Sequence, residues 1–110
     1  MILALVTFRM PASLTREQAA AMFRETAPNY VALPGLIRKH YLHRALPGHA
    51  EAGGCYLWEN RAAAEAGHGP EWRARVTAKY GTEPEIRLFE VPVSVDNTGM
   101  APPIAEHPAA

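Results

Sequence analysis

The 110-residue chain is long enough for one domain with a single core and too short for two. Eleven basic residues balance eleven acidic ones, which excludes a nucleic-acid or anionic-membrane surface built on net charge. A lone cysteine, Cys55, excludes an internal disulfide and a multi-thiolate metal site. No stretch approaches the ~18 apolar residues of a membrane span and no leader pattern is seen, so a cytoplasmic location is expected.

The opening "MILALVTFR" predicts a strand over about residues 2–9, apolar on both faces and so covered on both. Thr15 with Gln18 three residues on forms a capping box that opens a helix, whose inward stripe runs through Ala19, Met22, Phe23, Thr26 and Tyr30. Pro28 falls within that stripe and must kink the helix or begin a new final turn. After the "LPGL" turn, "LIRKHYLHR" predicts a second strand, "ALPGHAEAGG" a long hairpin loop and "GCYLWE" a third strand. Asn60 caps a short helix over "RAAAEAG". A further helix over "PEWRARVTAKYG" has Pro70 in its first turn and Gly81 as its stop. Its residues Trp72, Val76 and Tyr80 recur at i, i+4 and i+8. "EIRLFEVPVSV" predicts a fourth strand in which Pro92 removes a ladder donor, placing it at an edge or ending its pairing there. Residues 98–110 lack periodicity and are expected as a C-terminal arm or disordered tail after a domain over residues 1–97.

This order is the α+β, ferredoxin-like βαββαβ pattern with a four-stranded antiparallel sheet. Two helices cover one face of such a sheet. The apolar residues of the other face call for a second copy, so a homodimer is expected.

Few residues suggest chemistry. His40 and His43 form H-x-x-H, but on a strand residues three apart point to opposite faces, so no metal site is expected. "GHGPEW" lacks the spacing of a phosphate-binding loop and reads as a joint between helices. Cys55, in an apolar strand without a neighbouring base, reads as a small core residue. What remains is an aromatic cluster: Phe23 and Tyr30 on the first helix, Tyr56 and Trp58 beside Gly54 on the third strand, Trp72 and Tyr80 on the last helix. It is either an aromatic core or a ligand pocket between helices and sheet, with Gly54 leaving floor space and Trp58 as wall.

The segments "PGLIRKHYLH", "EAGGCYLWENRAAAEAG" and "PEWRARVTAKYG", with the closing "VPVSVDN", resemble the YdhR-type monooxygenases of the dimeric α+β barrel superfamily, over about Met1 to Asn97. That resemblance implies a dimeric barrel of ferredoxin-like subunits. It also implies oxidation of a small aromatic or polyketide-like compound by O2 without flavin, metal or haem. The bound substrate is deprotonated and its own carbanion or phenolate reduces oxygen. Trp58 then matches the family's strand-three tryptophan, and its helix arginine corresponds to Arg73 or Arg75. The family's strand-three asparagine falls near Gly54, so that donor is missing. His40 and Arg38, sharing one face of the second strand, are the expected proton acceptor and anion partner. Tyr56, Gly54, Trp72, Phe23 and Tyr80 are the expected substrate-binding residues. Haem-degrading members of the superfamily need an asparagine, a tryptophan and a histidine where this chain has Thr7, Gly67 and Val76, so haem degradation is not expected. The rival readings are a non-catalytic small-molecule binder and an isomerase or cyclase on the same fold.

Overall fold

Alternation along β1 (Ile2–Met10) decides what lies on each side of the sheet. Ile2, Ala4, Val6, Phe8 and Met10 are buried beneath the helices, whereas Leu3, Leu5 and Thr7 on the reverse face are only partly covered. β1 pairs antiparallel with β3 (His49–Trp58) on one side and β4 (Glu85–Glu90) on the other, and β2 (Leu36–Leu46) pairs with β3. The resulting order, β2-β3-β1-β4, with helical crossovers from β1 to β2 and from β3 to β4, is the ferredoxin-like α+β arrangement. The structure is a computed structural model that describes residues 1–109; Ala110, the last residue of the expected arm, lies outside the described residues.

The helix boundaries follow the local signals. Thr15 accepts from the Gln18 backbone N–H and the Gln18 side chain accepts from that of Thr15, opening α1 (Arg16–Thr26) with a complete capping box. Pro28 then lies in a separate 3-10 turn, Ala27–Tyr30, which carries Tyr30 toward the sheet. Asn60 caps α2 (Arg61–Gly67). α3 (Pro70–Tyr80) begins with its proline and stops at Gly81, whose φ of 75° is left-handed.

The hairpin between β2 and β3 is tighter than expected. Leu46 pairs with His49, so only Pro47 and Gly48 turn, with Gly48 at φ 82°. The stretch Glu51–Gly54 is therefore strand, not loop, and Gly53 lies opposite Thr7 in the middle of the sheet. A Cβ on Gly53 would fall on the Val6 carbonyl oxygen and within 3.1 Å of the Thr7 Cα, so close approach of β1 requires glycine there. At Gly54 a Cβ would lie 2.9 Å from a Tyr56 ring carbon and 3.2 Å from Lys39 Cε. The space expected at Gly54 is filled by its neighbours.

A second departure lies in β2. Leu36 pairs with Trp58, yet Arg38 pairs with Leu57, so one extra residue is accommodated between Leu36 and Arg38. This bulge reverses the facing of everything after it. Lys39, Tyr41 and His43 align with Tyr56, Gly54 and Ala52 on the helix side, whereas Arg38, His40 and Leu42 share the reverse face with Leu57, Cys55 and Gly53. That reverse face is apolar in its middle through Leu3, Leu5 and Leu57, with Leu42 and Phe89 exposed. Pro92 ends the edge strand β4, and the chain continues as a small antiparallel ribbon of β5 (Val93–Val95) and β6 (Ile104–Glu106). The segment expected as an arm or disordered tail thus carries a strand.

Two alanine substitutions separate the roles of the glycines. Gly48→Ala should cost about 1 kcal/mol through its left-handed backbone, and Gly53→Ala about 2–3 kcal/mol through the clash with β1. Urea unfolding midpoints measure both, and equal losses would show that β1 does not approach Gly53 so closely.

Candidate active site in the helix–sheet cleft

Between the helices and the inner face of the sheet lies a cleft of about 1160 Å³. Its aromatic lining comes from every layer: Phe8 from β1, Tyr30 from the 3-10 turn, Tyr41 and Tyr56 from β2 and β3, Trp72 and Tyr80 from α3. Phe8 packs on Tyr80 with ring centroids 4.5 Å apart, and Phe23 stacks on Tyr41 from behind at 4.7 Å. Tyr30 meets both Tyr41 and Tyr56 edge-on, and its hydroxyl accepts a 3.3 Å hydrogen bond from the Trp72 indole N–H. Such edge-to-face contacts add about 0.5–1.5 kcal/mol each to simple burial, so the walls are fixed rather than fluid.

The polar group at the centre of these rings is Lys39. Its Nζ lies 3.4 Å from the ring centroid of Tyr30, 3.8 Å from that of Tyr41 and 4.5 Å from that of Tyr56. Among the described residues no carboxylate forms an ion pair with it; the other lysine, Lys79, is paired with Glu25 at 2.7 Å. Loss of water around the ammonium lowers the Lys39 pKa from its ordinary 10.5 to about 7. The tyrosine faces attract a cation, by about 0.5–2 kcal/mol, and hold the amine in place while softening that shift. Burial in turn raises the phenols: Tyr80 is pushed up to about 12 and Tyr56 higher still. These hydroxyls are therefore proton-bearing donors at neutral pH, and Lys39 is the group poised to change charge.

A second, deeper layer supports the first. Trp58 is 1% exposed and does not line the cleft. Gly67 lies so closely on the Trp58 indole that a Cβ there would overlap the ring, and the indole N–H donates to His68 Nε2 at 3.1 Å. His68 lies edge-on between Tyr56 and Trp72, with centroids 4.6 and 4.5 Å away. Burial, and then the charge of Lys39, lower its pKa to about 4. Its ring is thus neutral, and since Nε2 accepts, the hydrogen resides on Nδ1, which is buried without a partner.

The expected site residues divide accordingly. Tyr56, Trp72, Tyr80 and Arg75 line the cleft, and Arg73 is not among its lining residues. Phe23 backs Tyr41, Gly54 is covered, and Trp58 is the buried support rather than the wall. His40 and Arg38 stand on the reverse face of the sheet, because the bulge after Leu36 turned them outward, so they do not join the cleft. Of the H-x-x-H pair, His43 faces inward and bonds the Leu14 carbonyl at 2.9 Å. Lys39, Tyr41 and His68 escaped the sequence reading. Lys39 is the one lysine of its strand, but its facing depends on the bulge after Leu36, which local sequence does not reveal.

Residues 3–102 match the family described as "Putative mono-oxygenase ydhR". The chain belongs to that family. Membership carries a monooxygenase-like role, and the fold agrees. A monooxygenase from the ActVA-Orf6 gene of Streptomyces coelicolor, solved with nanaomycin D, superposes with a TM-score of 0.61 at 17% identity over 82% of this chain and 86% of that one. SnoaB, a cofactor-independent oxygenase from Streptomyces nogalater, gives 0.53 at 19% identity over 82% and 92%. A conserved protein of unknown function from Bacteroides thetaiotaomicron gives 0.57 at 17% over 82% and 97%. At these identities the likeness establishes the shared fold. Among curated proteins no sequence matches the chain significantly. No helix among the described residues is long and apolar enough to cross a membrane.

Burial of Lys39 has a thermodynamic consequence. Below pH 7 folded and unfolded chains both hold the proton, and the half-buried charge weighs fully against folding. From about 7 to 10.5 only the unfolded chain holds it, so stability rises with pH across that window. Lys39→Met should therefore stabilise the protein by about 1–3 kcal/mol at about pH 6, with the gain shrinking as pH rises past 7. Thermal unfolding at several pH values checks this; destabilisation at every pH would contradict the unfavourable burial.

Proposed function

We propose that the protein is a cofactor-independent monooxygenase that oxidises a small aromatic or polyketide-like substrate with O2 in this cleft. Family membership supports the reaction class, and the observation that carries the reading is the Lys39 amine among aromatic walls, with no carboxylate partner among the described residues. A flat phenol or anthrone-type ketone packs between Trp72, Tyr80 and Tyr56. Neutral Lys39 removes a proton from it, a role matched to a base titrating near 7. The ammonium so formed stands beside the carbanion or phenolate and stabilises it, and the tyrosine hydroxyls donate to its oxygen. The electron-rich anion reduces O2, and the two recombine as a peroxide, which takes its proton from Lys39. Loss of water then converts the CH₂ of an anthrone to a carbonyl. One oxygen atom enters the product and one leaves as water, with all four electrons drawn from the substrate.

Arg75, lining the same cleft, is the anion partner in this scheme, and Trp58 and His68 position Tyr56 and Trp72 rather than touch substrate. The reading includes a homodimer, supported by the exposed Leu42 and Phe89 and the partly covered leucines of the reverse face. It also places the protein in the cytoplasm.

Oxygen uptake with a panel of anthrones and hydroquinones tests the reaction. Uptake should require the protein, and kcat/KM should rise with pH to a plateau above about 7. Lys39→Met should lower kcat by about 10²–10⁴-fold. Tight binding without turnover would instead make the protein a ligand carrier, and full activity of Lys39→Met would remove Lys39 as the base. The dimer is tested separately. Sedimentation should give twice the chain mass at micromolar concentration, and Leu42→Asp with Phe89→Asp should give monomers. A wild-type monomer would refute that part.

A further inference from the structure

The cationic residues are unevenly chosen. Nine of the eleven are arginine, which stays charged in any protein site, and only Lys39 and Lys79 are lysine. Lys79 is held in an ion pair with Glu25 on the neighbouring helix. Lys39 has no such partner among the described residues, and its Nζ lines the cleft over the faces of Tyr30, Tyr41 and Tyr56. A primary amine enclosed by apolar rings in a cleft large enough for an aromatic molecule is the arrangement that makes lysine a nucleophile toward carbonyl carbon.

We propose that Lys39 condenses with the carbonyl group of an aromatic aldehyde or ketone bound in the cleft, forming an imine. The Nζ lone pair attacks the carbonyl carbon, giving a carbinolamine. The carbonyl oxygen then leaves as water, taking both hydrogens that the neutral amine carried. No oxidant or reductant is consumed. Protonation of the imine nitrogen gives an iminium whose positive charge occupies the place the ammonium held, against the same three π faces. The cage that accepts the resting lysine is thus also shaped for the adduct. Where the bound molecule is a ketone with hydrogen on the carbon next to the carbonyl, the iminium draws electrons from that carbon and eases loss of its proton. Depression of the lysine pKa supplies unprotonated amine near neutrality and favours the first step. This activity shares the amine with the oxygenase reading but needs no O2, so either can fail without the other.

The test is reductive trapping without oxygen. The folded wild-type protein is incubated at neutral pH with 2-hydroxy-1-naphthaldehyde and sodium cyanoborohydride, and the modified residues are located by peptide mass mapping. Only three amines compete: Lys39, Lys79 and the N-terminus. Lys39 should be modified faster than either of the others by about tenfold or more. Lys79→Arg should leave that labelling intact, and Lys39→Arg should abolish it while circular dichroism stays unchanged. Equal labelling of the three amines would overturn the proposal. So would an unlabelled Lys39 in the folded protein when the urea-unfolded protein labels at both lysines.

Discussion

The cleft is organised around a lysine amine partly withdrawn from water and set against three aromatic faces, with no ion-pair partner among the described residues. A half-buried ammonium with no carboxylate partner among the described residues is costly, and the three tyrosines offset only part of that cost. The amine therefore gives up its proton in a range where an ordinary lysine does not. Burial, rather than the amine, raises the Tyr56 phenol, and the neighbouring His68 is kept neutral by burial and then by the Lys39 charge.

That arrangement rests on backbone features some distance from the amine. The extra residue between Leu36 and Arg38 turns Lys39 and Tyr41 inward together, opposite Tyr56 and Gly54. Gly53 lets β1 approach β3 without a side chain between them, while Gly54 accommodates the Tyr56 ring and the Lys39 stem. Pro28 breaks the first helix so that Tyr30 comes down as the third face of the cage. On the far side, Gly67 seats the α2–α3 joint on Trp58, and the indole N–H fixes His68 against Tyr56 and Trp72. The adjacent glycines and the aromatic run after them thus form one construction. The glycines admit neighbouring backbone and side chains, and the rings take the space that remains.

Much of the fold was legible in the sequence because its signals are local. The capping box at Thr15 and Gln18, the cap at Asn60, Pro70 and Gly81 each act within one turn of chain, and the helices begin and end there. The ferredoxin-like class followed from the order of strands and helices along the chain. The candidate site was legible in its residue types but not in its facing. A bulge is set by pairing with a distant strand, and nothing in "LIRKHYLHR" announces it, so the shared face of Arg38 and His40 was legible but not which side of the sheet it is. Trp58 was misplaced for a related reason. Alternation puts it on the inner face, but how deeply it lies depends on Gly67 closing over it. The ribbon beyond Pro92 pairs residues nine or more positions apart through short strands that carry no period.

The protonation state of Lys39 is the point on which the account turns. With only two lysines in the chain, ¹³C labelling at Cε gives two side-chain signals, and Lys39→Arg assigns them. The Lys39 resonance should titrate with a midpoint of about 7 in the folded protein and return toward 10.5 on unfolding. A folded-state midpoint near 10.5 would mean that water reaches the amine freely, and it would contradict both the base and the nucleophile assigned to this cleft.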